Sequence, residues 1–161
     1  MPSRKYAKTV DELPSPEELM SVPGLEMMQS IVNGERAGPP IGETMGFWPV
    51  EAEQGRVVFE GTPELAVANP LRTVHGGWYG AILDSCMACA VHTTLPSGAG
   101  YTTLEYKINI TRAIPLGVTV QAIGIAQHSG RSTGVANGEI RGKEDGKLYA
   151  TGSTTCMILR A

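Results

Sequence analysis

The sequence predicts an α+β domain in which one curved, mainly antiparallel sheet wraps a single long central helix, with short helices ahead of it. Three observations carry this. From Trp78 to Val91 the only normally charged side chain is Asp84, and no proline interrupts the run before Pro96. A helix that is apolar nearly all round must be buried nearly all round. Two strand-like stretches precede this run and four follow it, separated by turn residues. Hairpin connections of that kind force antiparallel pairing, and a single sheet covers most sides of a helix only by curling around it.

Taken in order, residues 1–15 read as a loose, polar, proline-containing arm. Ser15-Pro16-Glu17-Glu18 is a helix start, with an N-cap serine, proline at the first helical position and acids in the first turn. A second short helix is expected over Leu25–Ile31, ended by Gly34, and Pro39-Pro40 then reads as an extended linker. Residues 1–40 therefore stand as an N-terminal arm with short helices, and 41–161 as the main domain. Strands are expected over Glu43–Glu53 and Arg56–Gly61 about a Gln54-Gly55 turn. The central helix follows over Gly76–His92, and Ser97-Gly98-Ala99-Gly100 breaks the chain. Further strands are expected over Tyr101–Thr111, Val118–His128, Ser132–Arg141 and Leu148–Leu159, turning at Gly130 and at Glu144-Asp145-Gly146. A sheet curled around one helix in this way is the hotdog fold. A single copy leaves a sheet edge open, and open edges are usually closed by pairing, so at least a dimer is expected.

Composition removes several classes of function. The chain has 161 residues and a net charge of −3 without a basic stripe, which speaks against nucleic acid as a partner. The apolar run contains Asp84 and His92 and lacks basic flanks, so a membrane span is not expected. The N-terminus shows no apolar signal segment, and three cysteines are an odd number; both fit free thiols in a reducing cytoplasm. Cys86-x-x-Cys89 lies inside a helix without a second ligand pair, and reads as packed core thiols rather than a metal or redox site. The three histidines are scattered, and no phosphate loop or dinucleotide motif is present. No metal and no cofactor is therefore expected.

The chemistry concentrates at the start of the central helix. Helix N-termini offer unpaired N–H groups and favour negative charge. Gly76 and Gly77 clear side chains from that spot, which suits an oxyanion hole for a carbonyl that becomes tetrahedral. Equally, they permit a tight turn or close packing. Asp84 is costly in an apolar helix unless paired, neutralised or used; it is either a general base or nucleophile, or a hydrogen-bonded structural acid. Gly76 and Asp84 stand eight residues apart, roughly 12 Å along a helix axis. If both act on one carbonyl, the acid must come from a second subunit whose helix runs antiparallel to the first. His75 either holds the turn or touches the reacting group, and Asn69 either donates its amide or shapes the turn before Pro70.

These residues resemble a known pattern. Asn69, then His75-Gly76-Gly77, then Asp84 seven positions on, is similar to the hotdog thioesterases of the phenylacetic-acid-degradation type. Thr103-Leu104-Glu105-Tyr106-Lys107-Ile108-Asn109-Ile110-Thr111-Arg112 resembles the strand that follows the helix in that family, with Ala113 where the family usually has proline. The resemblance implies hydrolysis of acyl-coenzyme A thioesters, with coenzyme A entering only as part of the substrate, in dimers that often pair into tetramers. It implies that the Gly76 N–H polarises the carbonyl with Asn69 nearby. The partner's Asp84 acts as base or nucleophile, Thr103 helps orient water, and His75 heads the site. Gly77, Trp78 and Arg112 are expected to contact substrate, Arg112 at the coenzyme phosphates. Phe47, Trp48, Met45 and Tyr79 are further candidates to line an acyl pocket. Simple alternation puts Thr103, Glu105, Lys107 and Asn109 on a polar face and Leu104, Tyr106, Ile108 and Ile110 on an apolar one. Thr103 then reaches the site only if this strand end lies at a dimer seam. The rival readings are a hotdog protein that binds acyl-CoA without cleaving it, and a hydratase on the same fold.

Overall fold

The computed structural model describes residues 4–161; the first three residues of the expected arm lie outside that range. Six strands form one antiparallel sheet in the order β1-β2-β4-β5-β6-β3. These are β1 (Phe47–Glu53), β2 (Arg56–Gly61), β3 (Ala99–Ile110), β4 (Val120–Ser129), β5 (Thr133–Gly142) and β6 (Leu148–Arg160). The helices are α1 (Pro16–Ser21), α2 (Gly24–Val32), α3 (Pro40–Met45) and the central α4 (Gly76–His92). Helix α4 lies in the concave face of the sheet, against β2, β3, β4 and β5. The hotdog architecture and its mainly antiparallel sheet are as expected.

The helix is seated through glycines on the strands opposite it. A Cβ built at Gly124 of β4 would fall inside contact distance of the Cys86 backbone. One at Gly138 of β5 would stand 2.7 Å from the Met87 Cγ. No described helix is long and apolar enough to cross a membrane. The core is built around Trp78, Tyr79, Ile82, Leu83, Met87 and Val91 of α4, closed by Phe47, Val57, Ile114 and Ile140. At the C-terminal end of α4, burial holds the His92 imidazole neutral, its pKa lowered to about 4.

Three local expectations are corrected. Pro39-Pro40 is not an extended linker leading into a strand at Glu43. Pro40 opens α3 at its first turn, and Gly46, at φ 73°, closes it as a left-handed cap; the strand then begins at Phe47. The arm is not loose over residues 5–7. Tyr6 bridges to Gly38, the Ala7 N–H donates to the Gly38 carbonyl at 3.0 Å, and the Gly38 N–H donates to the Lys5 carbonyl at 2.8 Å. Finally, β3 does not alternate evenly. A register shift between Thr103 and Glu105 against β6 places a bulge at Leu104. Thr103 before the bulge and Tyr106 after it therefore share the side that faces α4.

At the two ends of the sheet, β1 and β3 are edge strands. The β3 edge is conspicuously apolar: Leu104, Tyr106 and Ile110 are 57%, 46% and 47% exposed.

Candidate active site

The loop from Asn69 to His75 positions the start of α4. The Asn69 side chain clasps it from within. Its Oδ1 accepts from the Leu71 and Thr73 N–H groups at 2.9 and 3.2 Å, and its Nδ2 donates to Thr73 Oγ1 at 2.9 Å and to the Val74 carbonyl at 3.3 Å. Arg72 inside this loop has φ 62°, a conformation most non-glycine residues avoid. Of the two roles open to Asn69, these hydrogen bonds show the turn role in place, while the residue also lines the groove at the helix start.

His75 is the N-cap of α4, and its Nδ1 accepts from the Gly77 N–H at 2.9 Å. That consumes the Gly77 donor. The Gly76 N–H has no acceptor among the described residues, and Gly76 lines a groove of about 330 Å³ shared with Asn69, Thr73, Tyr79, Thr111 and Arg112. The Tyr79 hydroxyl fixes the far wall of the groove, accepting from the Ile114 N–H at 2.7 Å. A free donor at the positive end of a buried 17-residue helix is equipped to hold an anionic oxygen.

Asp84 lies two turns further along. It is half-buried, and Thr103 Oγ1 donates to its Oδ1 at 2.9 Å. Burial raises its pKa above the ordinary carboxylate value, and the Thr103 hydrogen bond partly opposes that. Beside it opens an apolar cavity of about 180 Å³, whose walls include Phe47, Trp48, Phe59, Ala88 and Tyr101. Asp84 is thus not locked in a closed cage: among the described residues Thr103 is its one hydrogen-bond donor, and the acid lines this largely apolar cavity.

The expected residues therefore fall into two clusters. Asn69, Gly76 and Arg112 meet in the groove at the helix start, with His75 and Gly77 exposed at its lip. Asp84 and Thr103 meet beside the cavity. The two linings share no residue, and the helical rise sets them roughly 12 Å apart. Trp78 joins neither. It is 1% exposed, and its indole N–H donates to the Met45 carbonyl at 2.8 Å; it is a core anchor and presents no surface to a ligand in this chain. Of the pocket candidates, Phe47 and Trp48 line the cavity and Tyr79 the groove.

Sequence reasoning missed the contribution of Tyr6, Met28 and Ile31 to the cavity wall. Their signal was the amphipathic spacing of Met28 and Ile31 on α2, which shows that a face is buried but not what it faces. Cys86 and Cys89 are free, and burial drives both thiols up, Cys89 to about 12; neither is a ready thiolate. Among the described residues, no group of three or more His, Cys, Asp or Glu side chains is placed to hold a metal ion.

The chain is similar to several known proteins. A family model of the thioesterase superfamily matches residues 71–149, which take in most of the loop, α4 and strands β3 to β5. A phenylacetic-acid-degradation-related protein of Ralstonia eutropha is 30% identical, with a TM-score of 0.72 over 81% of this chain and 98% of its own. A Caenorhabditis elegans protein whose name assigns it, provisionally, to the esterases is 26% identical over 91% of this chain and 83% of its own. A Streptococcus mutans protein solved with acetyl-CoA bound shares the fold, at 23% identity and a TM-score of 0.65 over 71% of this chain and 90% of its own. On these likenesses and its fold, the chain belongs to the thioesterase superfamily and is a hotdog-fold thioester hydrolase of the phenylacetic-acid-degradation type.

Proposed function

We propose that this protein hydrolyses acyl-CoA thioesters at sites shared between two subunits, each site joining the Gly76 N–H of one chain to the Asp84 carboxylate of the other. The observation that carries this is the division of the site: one chain holds a free helix-end donor and a desolvated base roughly 12 Å apart, too far for one carbonyl. An antiparallel pair of α4 helices brings each donor to the other chain's acid. The exposed apolar edge of β3, with Leu104, Tyr106 and Ile110, supplies a surface for that pairing. Acetyl-CoA bound to the Streptococcus mutans relative supports the substrate class.

In this mechanism Asp84 takes a proton from water, and the resulting hydroxide attacks the thioester carbonyl. The carbonyl π electrons move to oxygen, where the Gly76 N–H and the α4 dipole hold the negative charge. Collapse breaks the carbon–sulfur bond, and the coenzyme thiolate leaves with the proton that Asp84 took. A raised pKa strengthens Asp84 as a base. Thr103 keeps it ionised and turned toward the water.

Asp84→Asn keeps the shape and a hydrogen-bond acceptor for Thr103 but removes the base. Thiol release from acyl-CoA esters should fall at least about 100-fold, while the variant melts no lower than wild type. The sign follows from burial. A carboxylate whose pKa is raised on folding weakens the fold as pH rises through that pKa, and the amide escapes this cost. An Asp84→Asn protein that cleaves every ester at the wild-type rate ends the proposal.

A further inference from the structure

Resting on the reading of Asp84 and Gly76 as two halves of one site, we infer that the cavity beside Asp84 is the acyl pocket, that the chain ahead of the sheet forms its selective wall, and that it takes compact, uncharged hydrocarbon acyl groups of about six to eight carbons. The two clusters differ in chemistry. The Gly76 groove is edged by Asn69, Thr73, Thr111 and Arg112, polar groups suited to the amide-rich arm of a coenzyme. The Asp84 cavity is edged mostly by hydrocarbon and aromatic rings, with the Ser85 and Thr103 hydroxyls beside the acid. A thioester carbonyl held between them must send its coenzyme one way and its acyl tail the other.

Size and charge narrow the tail. A buried apolar cavity of about 150 Å³ accepts benzene; this one holds about 180 Å³ and is partly open, its lining including Ile41 at 49% exposure. Among the described residues Asp84 is its only lining side chain ordinarily ionised at neutral pH, since Tyr101 and Cys89 are pushed up by burial. A carboxylated tail would place a second anion in the same desolvated space.

The wall is firmly built. Tyr6, Ile31 and Ile41 come from residues that precede the sheet and lie before the span matched by the family model. The Tyr6 ring meets Trp48 edge-on at 4.9 Å, and its hydroxyl donates to the Phe47 carbonyl at 3.2 Å. Lys8 pairs with Glu43 at 2.5 Å across the outside. Gly38 allows the strap to lie flat, because a Cβ there would stand 2.9 Å from Trp48. A tail too long for about 180 Å³ must displace this wall or run out to solvent.

The test is a panel of acetyl-, hexanoyl-, octanoyl-, palmitoyl- and succinyl-CoA, read both by thiol release and by calorimetric binding. Burial of each methylene should raise kcat/KM about fourfold until the cavity is full. Octanoyl-CoA should then exceed acetyl-, succinyl- and palmitoyl-CoA at least tenfold. Ile31→Ala, which deepens the wall, should raise the palmitoyl-to-octanoyl ratio. Ala88→Leu, which fills the floor, should lower the octanoyl-to-acetyl ratio at least tenfold. Ratios unmoved in both folded variants overturn the pocket assignment, as does a preference for succinyl- or palmitoyl-CoA in the wild type. If no ester is cleaved yet octanoyl-CoA binds tenfold tighter than acetyl-CoA, the pocket stands and the reading of the reaction falls.

Discussion

Thr103 sets the proton affinity of the group proposed to do the chemistry. Among the described residues its hydroxyl is the one donor to Asp84, and it lowers a pKa that burial raises. Thr103→Val keeps the branched shape and removes the hydrogen bond, so the Asp84 pKa should climb further. Asp84 works only when deprotonated, so the acid limb of kcat/KM against pH should move to higher pH. Activity near neutrality should fall about 3- to 10-fold, less than for loss of the base itself. An unshifted acid limb in a folded variant would show that Thr103 does not tune this base. The need for a partner to Asp84 was legible from the cost of a carboxylate in an apolar run. That Thr103 stands beside it came only from the family resemblance, because strict alternation puts Thr103 on the opposite face. One extra residue at Leu104 reverses the phase, and a bulge leaves no mark in hydrophobic spacing. For Asn69 and His75 the residue types pointed to this loop but left two roles open, and hydrogen bonds within the turn show the structural one in place.

At the scale of elements, α4 was readable almost to the residue because its whole circumference is apolar and glycine and proline bound it. Strand β2 was equally plain. Helix α3 was not: six residues give too little periodicity, and the two prolines suggested extension although Pro40 in fact starts the helix and Gly46 stops it. What the sequence hides most is how close elements come. Gly124 of β4 lies against the α4 backbone so tightly that a Cβ would overlap the Cys86 carbonyl group. Backbone cannot swing aside as a side chain can. Gly124→Ala should therefore force helix and sheet apart and cost about 2 kcal/mol or more, in the range of overpacked cores, seen as a lower midpoint in urea. By contrast Gly98, where nothing lies within 4 Å of an added Cβ, is held by its φ of 83° alone. An Ala there should cost only about 1 kcal/mol. If both substitutions cost the same, close packing is not what Gly124 serves.

At the scale of the whole molecule, the proposed site should be reconstructable from two broken chains. Gly76→Pro deletes the N–H assigned to the oxyanion and little else. Proline is favoured at the first helical position, His75 already has the extended ψ of 139° that a following proline requires, and the nearest atom to an added Cβ is Ile110 Cδ1 at an ordinary 3.7 Å. Alone, Gly76→Pro should lose about 100- to 1000-fold in kcat, the usual effect of removing an oxyanion donor. Asp84→Asn alone is likewise inactive. A mixed dimer purified through two different tags carries both lesions at one site, and at the other an intact Gly76 facing an intact Asp84. Its specific activity should return to about half that of wild type, one working site of two. A protein whose own Gly76 and Asp84 served one carbonyl would gain nothing from mixing, since each chain would keep its lesion. Recovery thus separates a shared site from a private one, and does so without relying on how the β3 edge is covered.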